Sequence, residues 1–301
     1  MSNVILGLCA NYSIDQLAPF VTSLRATDFN GEVTFFVDRL SGDTKRFLHA
    51  HDCRTIPFHS IRHFRGAQTT RRLVARAIRT FCPASPSTKV RSFVTRLWHC
   101  AASRYFLYAT YLENTNGRFE KVLLTDVRDV VFQRDPFDFP MRGAMCAFQE
   151  SLARIGDDYF NSQWIIDGFG KKVFQKLSHR PVYCSGVTIG TTSGVLGYLA
   201  AMTKELTIRV GFMGYDQGIH NYLVHTDAIP DLAHYTNWTG PVLTLGTVPE
   251  QELAMPADGL LRNHDGAIVN VIHQYDRQPT IAPRVLGRIS RASLAPSPVY
   301  S

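Results

Sequence analysis

Three carboxylates follow a short apolar run in the segment KVLLTDVRDVVFQRDPF, residues 121–137. The run 122–124 is typical of a strand covered on both faces, and Asp126 and Asp129 come at its carboxyl end. Ligands of open α/β sheets bind outside the carboxyl ends of the strands, so these two side chains are candidates for a ligand site. The alternative is a pair of solvated turn acids, with Asp135 as an ordinary turn residue.

Apolar segments alternate with helical patterns along the chain, which predicts an α/β sheet. The candidate strands are 3–9, 32–37, 121–125, 144–149, 182–189, 242–245 and 267–272. Long helical patterns lie near 67–80 and 91–112, separated by the breaker CPASPST, and a short helix opens near Asp216. With 301 residues, 45% of them hydrophobic, the chain is long enough to bury a substantial core.

The helical pattern over 91–112 carries an apolar stripe that is predicted to be core. Its members are Phe93, Leu97, Ala101, Tyr105, Tyr108 and Leu112. Arg104 interrupts this stripe. It therefore either points into a ligand site or covers the exposed edge of the helix.

Several classes of protein are disfavoured by the composition. No apolar run approaches the roughly 18 residues needed to cross a bilayer, and the start of the chain lacks the basic region of a signal peptide. Six cysteines lie far apart without C-x-x-C spacing, which argues against a zinc site or a disulfide framework. We therefore expect a cytoplasmic protein.

The formal charge of +7 comes from one stretch of the chain. Residues 53–112 contain eleven Lys and Arg but no Asp or Glu. Arg72, Arg76 and Arg79 fall on one face of a predicted helix, which fits a solvated amphipathic helix. The same charge would also bind diphosphate groups, an acidic glycan or the headgroups of an anionic membrane. Nucleic acid is disfavoured, because no zinc finger, RNP-type aromatic motif or recognition helix accompanies the charge.

Four segments resemble, in order, the motifs of metal-dependent GT-A glycosyltransferases, notably the glycogenin-like and lipopolysaccharide galactosyltransferase family and its plant-type relatives. LLTDVRDVVFQRDPF is similar to the strand-terminal D-x-D segment, YCSGVTIGT to the N-[SA]-G-V strand, YDQGIHNYL to D-Q-D-x-x-N, and IHQYDRQP to the late His-x-x-G-x-x-K-P segment. LCANYSIDQLAPFVTSLR resembles the first strand and helix, which hold the nucleotide. SRYFLYATYL resembles the helix that carries a donor-contacting Arg or Lys.

This resemblance implies a GT-A (Rossmann-like) α/β fold, with a mixed sheet flanked by helices, in a single domain over residues 1–279. The implied activity is that of a hexosyltransferase, which moves a sugar from a UDP- or GDP-linked donor to a glycan or glycolipid acceptor. A glycolipid acceptor and the basic stretch together would bring the protein to the inner face of a membrane. Residues 280–301, which are basic and rich in Pro, Ser and Ala, are expected to form a loosely ordered tail.

The resemblance also implies a Mn²⁺ or Mg²⁺ site made by Asp126, Asp129 and His273. Asp129 matches the metal-binding second acid of D-x-D, and Asp126 would contact ribose or metal. Here two residues separate the acids, where the family has one. Carboxylates suit a hard divalent cation, which would neutralise the charge that builds on a departing diphosphate.

The donor is expected, by the same resemblance, to contact residues in three parts of the chain. These are Ala10, Asn11 and Tyr12 after the first strand, Arg104, and Ser185, Gly186 and Arg277, with Asp126 shared between ribose and metal. Arg277 stands in place of the late lysine, and Cys184 in place of an asparagine. Each of these two differences from the family motif would change the contacts that bind the donor.

Asp216, Gln217 and Glu150 are the catalytic candidates. In the resembled family the D-Q pair lies beneath the anomeric carbon and configuration is retained, whereas an inverting enzyme would need a carboxylate base such as Asp216 or Glu150. Gly218 stands where that family has a second Asp. We predict retention.

Two alternatives remain on the sequence alone. A nucleotidyltransferase or a metal-dependent phosphohydrolase could use the same acidic cluster on a related sheet. A non-enzymatic module could bind polyanions through residues 53–112.

Overall fold

The computed structural model describes residues 2–60, 67–81, 88–115, 117–209, 215–253 and 258–294. A main sheet of seven strands forms the centre of the fold, with helices on both faces and a small three-stranded sheet beside it. None of the helices within these ranges is both long enough and apolar enough to cross a membrane.

The main sheet has the strand order β3-β2-β1-β4-β7-β6-β8. Its strands are β1 (Ser2–Ala10), β2 (Glu32–Asp38), β3 (Cys53–Pro57), β4 (Phe119–Thr125), β6 (Met145–Arg154), β7 (Pro181–Thr191) and β8 (Leu232–Tyr235). The first four in sequence pair in parallel, and β7 runs antiparallel to both β4 and β6. The carboxyl ends of β1, β2 and β4 therefore meet at one edge of the sheet.

The small sheet has the order β5-β10-β9. Its strands are β5 (Val130–Phe132), β9 (Val242–Thr244) and β10 (Val271–His273), with β10 antiparallel to β5 and parallel to β9. The backbone N–H of Phe132 donates to Ser23 Oγ of the first helix at 3.0 Å, which fixes the small sheet against that helix. The turn that joins β4 to β5 therefore links the two sheets.

Helices cover both faces of the main sheet. They are α1 (Ile14–Arg25), α2 (Gly42–Ala50), α3 (Ala67–Phe81), α4 (Thr88–Leu97), α5 (Cys100–Glu113), α6 (Tyr159–Phe169), α7 (Lys171–Leu177), α8 (Thr192–Ile208), α9 (Tyr215–Val224) and α10 (Ala282–Leu294). Helix α5 packs with α8 and α9 on one side, and α1 packs on the other. The prediction of a mixed α/β sheet flanked by helices is confirmed.

Helix starts follow the local capping chemistry. Ser13 and Gln16 form a capping box at the start of α1, and the Thr191 hydroxyl accepts from the Gly194 N–H at 3.1 Å at the start of α8. His99 caps α5 by accepting from the Ala101 N–H at 3.3 Å. The His99 cap thus fixes where α5, the helix that carries Arg104, begins.

The helix expected over 91–112 is two helices, α4 and α5, with the break at Trp98 and His99. The break changes which face of the helix points inward. Tyr105, Tyr108 and Leu112 are buried as predicted, but Phe93 is 51% exposed, so its assignment to the core is wrong. Most of the breaker CPASPST, at 82–87, lies outside the described residues, as does the side chain of Arg79.

The predicted tail after residue 279 is wrong for residues 282–294, which form α10. Val285 and Ile289 of this helix are buried against the outer side of the small sheet, together with Leu243 and Ile272. An amphipathic stripe of apolar residues therefore outweighs the basic and small residues of this segment. Residues 295–301 lie outside the described part of the chain.

Candidate metal and donor site

The turn between β4 and β5 is held between the two sheets by backbone hydrogen bonds. The Asp126 N–H donates to the Gly186 carbonyl of β7 at 2.7 Å, and the Gln274 N–H donates to the Asp129 carbonyl at 2.7 Å. Val127, between the acids, is buried at 1% exposure. Arg128 points away and pairs with Asp276 at 3.6 Å. The two residues between the acids thus form a turn that aims both carboxylates the same way.

Asp126, Asp129 and His273 form a group that could hold a metal ion. One ligand atom from each lies within 4.8 Å of the others. His273 Nε2 is 3.6 Å from Asp126 Oδ2 and 3.8 Å from Asp129 Oδ1. His273 is fully buried and Asp129 is 7% exposed. The three residues that were expected to bind metal are therefore side by side.

The donor set fits a divalent cation. Within the described residues, His273 Nε2 is buried and has no hydrogen-bond partner. Its other ring nitrogen, Nδ1, lies 3.4 Å from Cys184 Sγ. A hydrogen on Nδ1 leaves Nε2 as a lone-pair donor facing the two carboxylates, which is the arrangement a metal-binding histidine needs.

Gly186 provides the space beside this group. A Cβ at this position would lie 2.6 Å from Asp126 Oδ2 and 2.8 Å from His273 Nε2. Only glycine lets the β7 backbone pass so close to the carboxylate and imidazole. The β7 backbone therefore forms one wall of the candidate metal site.

Arg104 links the metal group to the start of α9. It is buried, donates to the Asp126 carboxylate, and also donates to Asp216 Oδ2 at 2.8 Å. The Tyr105 hydroxyl accepts from Arg104 Nη2 at 3.2 Å and donates to Asp216 Oδ2 at 3.4 Å. One guanidinium thus neutralises two carboxylates that are far apart in sequence. Arg104 therefore points into the site and does not cover the exposed edge of its helix.

These contacts set the charge states of the metal group. Burial alone would raise the pKa of Asp126, but the adjacent Arg104 and His273 bring that pKa well below its usual range. Burial alone would lower the pKa of His273, but Cys184, Asp126 and Asp129 hold that pKa well above its usual value. The carboxylates thus attract positive charge to His273, and a divalent cation bound among the three groups would displace its proton.

Glu150 and Gln217 form a second pair of polar side chains in the same region. Gln217 Nε2 donates to Glu150 Oε1 at 2.9 Å and approaches Asn161 Oδ1 at 3.4 Å. Glu150 is 6% exposed, and burial raises the pKa of its carboxyl, an effect partly offset by Gln217. His273 and Cys184 also act to lower the pKa of Glu150 against the effect of burial.

Gly218 is set by the packing of α9 on α6. A Cβ at Gly218 would lie 2.6 Å from the Cβ of Trp164. One turn later, Asn221 Oδ1 accepts from the Tyr183 N–H at 2.8 Å, and its Nδ2 donates to the Tyr183 carbonyl at 2.9 Å. Helix α9 is therefore fixed both to α6 and to β7, which holds Asp216 and Gln217 in place.

Ala10 ends β1, and Asn11 and Tyr12 follow it at the same edge of the sheet. Asn11 adopts a left-handed conformation, with φ of 59°, and its N–H donates to the Asp38 carbonyl at 2.9 Å. Burial, followed by the negative charge of Asp126, raises the pKa of Tyr12 to about 12. Because Gly7 of β1 pairs in register with Thr125 of β4, the end of β1 lies beside the turn that carries Asp126.

Ser185 and Arg277 are the remaining predicted donor contacts. Ser185 is buried in β7 between Cys184 and Gly186. Arg277 is exposed in a short 3₁₀ segment four residues after His273, and its charge contributes to the environment of Glu150. Both lie in segments that border the site. Within the described residues, no hydrogen bond or ion pair joins either side chain to Asp126, Asp129 or His273.

Sequence reasoning missed the parts of the site that depend on tertiary contacts. Tyr105 was assigned only to the core, whereas its hydroxyl joins the pair formed by Arg104 and Asp216. Asn161, whose Oδ1 lies 3.4 Å from Gln217 Nε2, belongs to no motif that would mark it. A buried tyrosine beside a buried arginine was the one signal in the sequence that could have suggested a polar partner for Tyr105.

Neither a family model nor a curated protein matches this sequence. Solved structures do resemble it. A galactosyltransferase, LgtC, in complex with donor and acceptor sugar analogues is 14% identical, with a TM-score of 0.47, over 99% of this chain and 98% of that one. The bifunctional glycosyltransferase WbbM is 12% identical, with a TM-score of 0.46, over 96% of this chain and 50% of that one.

A third structure is the glucosyl-3-phosphoglycerate synthase of Mycobacterium tuberculosis, in complex with Mn²⁺, uridine diphosphate and glucosyl-3-phosphoglycerate. It is 11% identical, with a TM-score of 0.39, over 78% of this chain and 70% of that one. All three TM-scores lie below 0.5, and function is therefore inferred from the side chains of this chain.

Proposed function

We propose that this chain is a metal-dependent glycosyltransferase of the GT-A type, which transfers a hexosyl group from a UDP- or GDP-linked sugar to a glycan or glycolipid. One observation carries the proposal. The group Asp126, Asp129 and His273 is joined through the buried Arg104 to Asp216, at the sheet edge where β1 ends. A cation site next to a neutralised carboxylate suits a reaction that releases a diphosphate from a sugar.

Asp126, Asp129 and His273 would hold Mn²⁺ or Mg²⁺, since two carboxylates and one imidazole suit these ions. The ion, when bound, would neutralise the charge that develops on the departing diphosphate. Arg277, which is exposed near the site, would add a forked donor to the same phosphates.

The nucleoside would lie over the end of β1, against Ala10, Asn11 and Tyr12. Tyr12 is only partly buried, so its ring is free on one side to contact a base or ribose. Ser185 and Gly186 would bring the β7 backbone close to the donor, because glycine leaves no side chain between them.

We infer that the reaction retains configuration. Asp216 is 5% exposed, and its Oδ2 already accepts from Arg104 and Tyr105, so this carboxylate is poorly placed to take a proton from an acceptor. Glu150 is equally buried and is held by the Gln217 amide. Each of these two carboxylates thus already accepts hydrogen bonds through one oxygen, and Gln217 would be the side chain that faces the anomeric carbon.

We also infer that residues 1–279 act as one domain, because the candidate site takes side chains from both sheets. Helix α10 extends that domain by packing on the small sheet. A glycolipid acceptor would bring the protein to the inner, cytoplasmic face of a membrane.

The test is a panel of UDP- and GDP-sugars incubated with the protein and Mn²⁺, without acceptor. A transferase should slowly release a nucleoside diphosphate and free sugar from one donor, since water replaces the acceptor. The anomeric coupling of the product, read by proton NMR, should match that of the donor. Asp129→Asn should reduce release by more than about 100-fold, because loss of a ligand exceeds the 10- to 100-fold effect of an outer partner.

Asp138→Asn is the matched control, because Asp138 is an exposed acid that pairs with Arg134 away from the site. It should leave release unchanged. Production of a nucleoside monophosphate and a sugar phosphate would instead identify a phosphohydrolase. An inverted product, with Asp216→Asn inactive and Gln217→Ala nearly normal, would show that Asp216 is a base and would contradict retention.

A further inference from the structure

Helices α3 and α4 each carry basic and exposed apolar side chains, and we name these side chains together the α3–α4 face. It consists of Arg72, Leu73, Arg76 and Phe81 of α3 with Lys89, Phe93 and Arg96 of α4. We propose that this face docks the protein on an anionic lipid bilayer. The inference deepens the proposed function, which brings the protein to a membrane through its acceptor, but it is tested by vesicle binding without any transfer reaction.

The inner sides of the two helices are already satisfied by the fold. Ala75 is 4% exposed, Val94 is fully buried, and Arg71 Nε donates to the Leu97 carbonyl at 2.6 Å. Trp98, just after α4, donates from Nε1 to the Leu206 carbonyl of α8 at 2.6 Å. The α3–α4 face is thus held at a fixed place on the protein, and its side chains are not needed for internal packing.

Apolar exposure is concentrated on this face. Among the described residues, five large hydrophobic side chains are exposed, and three of them belong to α3 and α4. Phe81 is 80% exposed, Leu73 is 62% exposed and Phe93 is 51% exposed. Such side chains among basic residues are typical of a helix that lies in the interface of a membrane.

The charge of the face complements anionic headgroups. Residues 53–112 contain eleven of the 32 basic residues of the chain and none of the 25 acidic ones. The excess positive charge of the chain therefore lies in residues 53–112. Within the described part of the chain, no carboxylate pairs with Arg72, Arg76, Lys89 or Arg96. Unpaired cations near a bilayer attract the anionic lipids of its surface.

A lipid surface fits this face better than a soluble polyanion does. Leu73 lies between Arg72 and Arg76, and its aliphatic side chain offers no surface on which a base could stack. Bases could stack on the rings of Phe81 and Phe93, but acyl chains offer an apolar partner to these rings and to Leu73 alike. A membrane is therefore the partner that fits the charge and all three exposed apolar side chains.

The face also borders the candidate site. Arg72 and Arg76 line a cleft of about 190 Å³ together with Asp167 of α6 and Tyr215, the residue before Asp216. Asp167 forms no ion pair with either arginine within the described residues. A protein docked through α3 and α4 would therefore hold the start of α9 close to the membrane surface. An acceptor anchored in the bilayer would then reach the site without leaving the membrane.

The test is co-sedimentation with vesicles of phosphatidylcholine alone and of phosphatidylcholine mixed with phosphatidylglycerol. The wild type should bind the mixed vesicles and not the neutral ones, and high salt should weaken that binding. The double variant Arg72→Gln/Arg76→Gln should bind at least about tenfold more weakly, since each basic residue near the surface contributes about fivefold. Leu73→Ser/Phe93→Ser should bind at least about tenfold more weakly as well, because it removes buried apolar area.

Two matched controls lie elsewhere on the surface. Lys171→Gln/Lys172→Gln removes the same charge from α7, and Tyr159→Ser/Phe160→Ser removes exposed rings from α6. Both should bind like the wild type, and all four variants should keep its unfolding midpoint because the changed side chains are exposed.

Three results would overturn the proposal: no binding to mixed vesicles, equal losses in the controls, or unchanged binding by Leu73→Ser/Phe93→Ser. The last result, combined with tight binding to heparin or DNA, would identify the face as a polyanion site.

Discussion

At the scale of single residues, Gly186 decides whether the metal group can form. Gly186→Ala should abolish Mn²⁺ binding or weaken it at least about tenfold, because the new Cβ would displace the Asp126 carboxylate or the His273 ring. Calorimetric titration of Mn²⁺ into the protein measures this directly. The added methyl group also destabilises the folded state, since it meets side-chain atoms closer than 3 Å.

Gly197→Ala is the control for that measurement. Nothing lies within 4 Å of a Cβ at Gly197, which is inside α8. This variant should bind Mn²⁺ normally and gain up to about 1 kcal/mol of stability, because alanine is the better helix former. Normal Mn²⁺ binding by Gly186→Ala would show that the metal does not lie between Asp126 and His273.

The sequence predicted which residues belong to the site better than it predicted their partners. The apolar strand ahead of Asp126 and Asp129 indicated that these acids lie at a sheet edge, whereas His273 was predicted only from the resemblance of its segment to the late family motif. The link from Arg104 to Asp216 could not be derived, because 112 positions separate the two residues and nothing local records the contact. The same holds for Cys184, whose sulfur approaches His273 only through the pairing of two sheets.

At the scale of secondary structure, Asn221 joins α9 to β7. Asn221→Ala should lower the free energy of unfolding by about 2–5 kcal/mol, because the buried N–H and carbonyl of Tyr183 lose their side-chain partner. Urea unfolding measures the change. Asn114→Ala, at the exposed end of α5, should cost less than about 0.5 kcal/mol. A similar small loss for Asn221→Ala would mean that water replaces its hydrogen bonds.

His220 makes the packing of α8 on α9 sensitive to acid. It is fully buried, its Nδ1 lies 2.8 Å from the Tyr198 hydroxyl, and burial lowers its pKa from 6.5 to about 3. The unfolded chain takes up a proton here below about pH 6.5, whereas the folded chain does not until near pH 3. The free energy of unfolding therefore falls as the pH drops, by about 2 kcal/mol at pH 5.

Urea unfolding of His220→Gln at pH 7 and pH 5 isolates this contribution. The variant should lose less stability than the wild type between the two pH values, by about 2 kcal/mol, because glutamine does not titrate. The two proteins share every other titrating group, so these cancel in the comparison. An equal loss in both would show that His220 is not the acid-sensitive group.

All five long strands and the short strands β9 and β10 were predicted, at least in part, whereas β3, β5 and β8 were not. Strands β1, β2, β4, β6 and β7 each carry a run of apolar or β-branched residues, which the sequence shows directly. Strand β3 is an edge strand that ends in Pro57, and β5 and β8 have only three and four residues. Such strands owe their conformation to neighbours that pair with them, so their own residues carry little signal.

At the scale of the whole molecule, metal binding should stabilise the fold by joining its two sheets. Asp126 follows β4 of the main sheet, whereas Asp129 precedes β5 and His273 ends β10 of the small sheet. Mn²⁺ at about 100 times its Kd should raise the free energy of unfolding by about 2.7 kcal/mol. Thermal unfolding with and without Mn²⁺ measures this, with Asp129→Asn as the control that should not respond.

A single domain would unfold in one thermal transition. Separate transitions for the two sheets would contradict the single domain.

The contact between Gly218 and Trp164 restricts how this protein could have changed by mutation. A side chain at 218 meets the Cβ of Trp164, an atom that every residue except glycine also has at 164. An acid at 218 therefore cannot arise by one tolerated substitution, nor be rescued by trimming Trp164 to alanine. It would require α6 and α9 to move apart. Such a movement would displace Gln217 and Asn221, and it would break the hydrogen bonds between Asn221 and the Tyr183 backbone. An acid at position 218 would therefore require a different packing of α6 against α9, and a single substitution would not provide it.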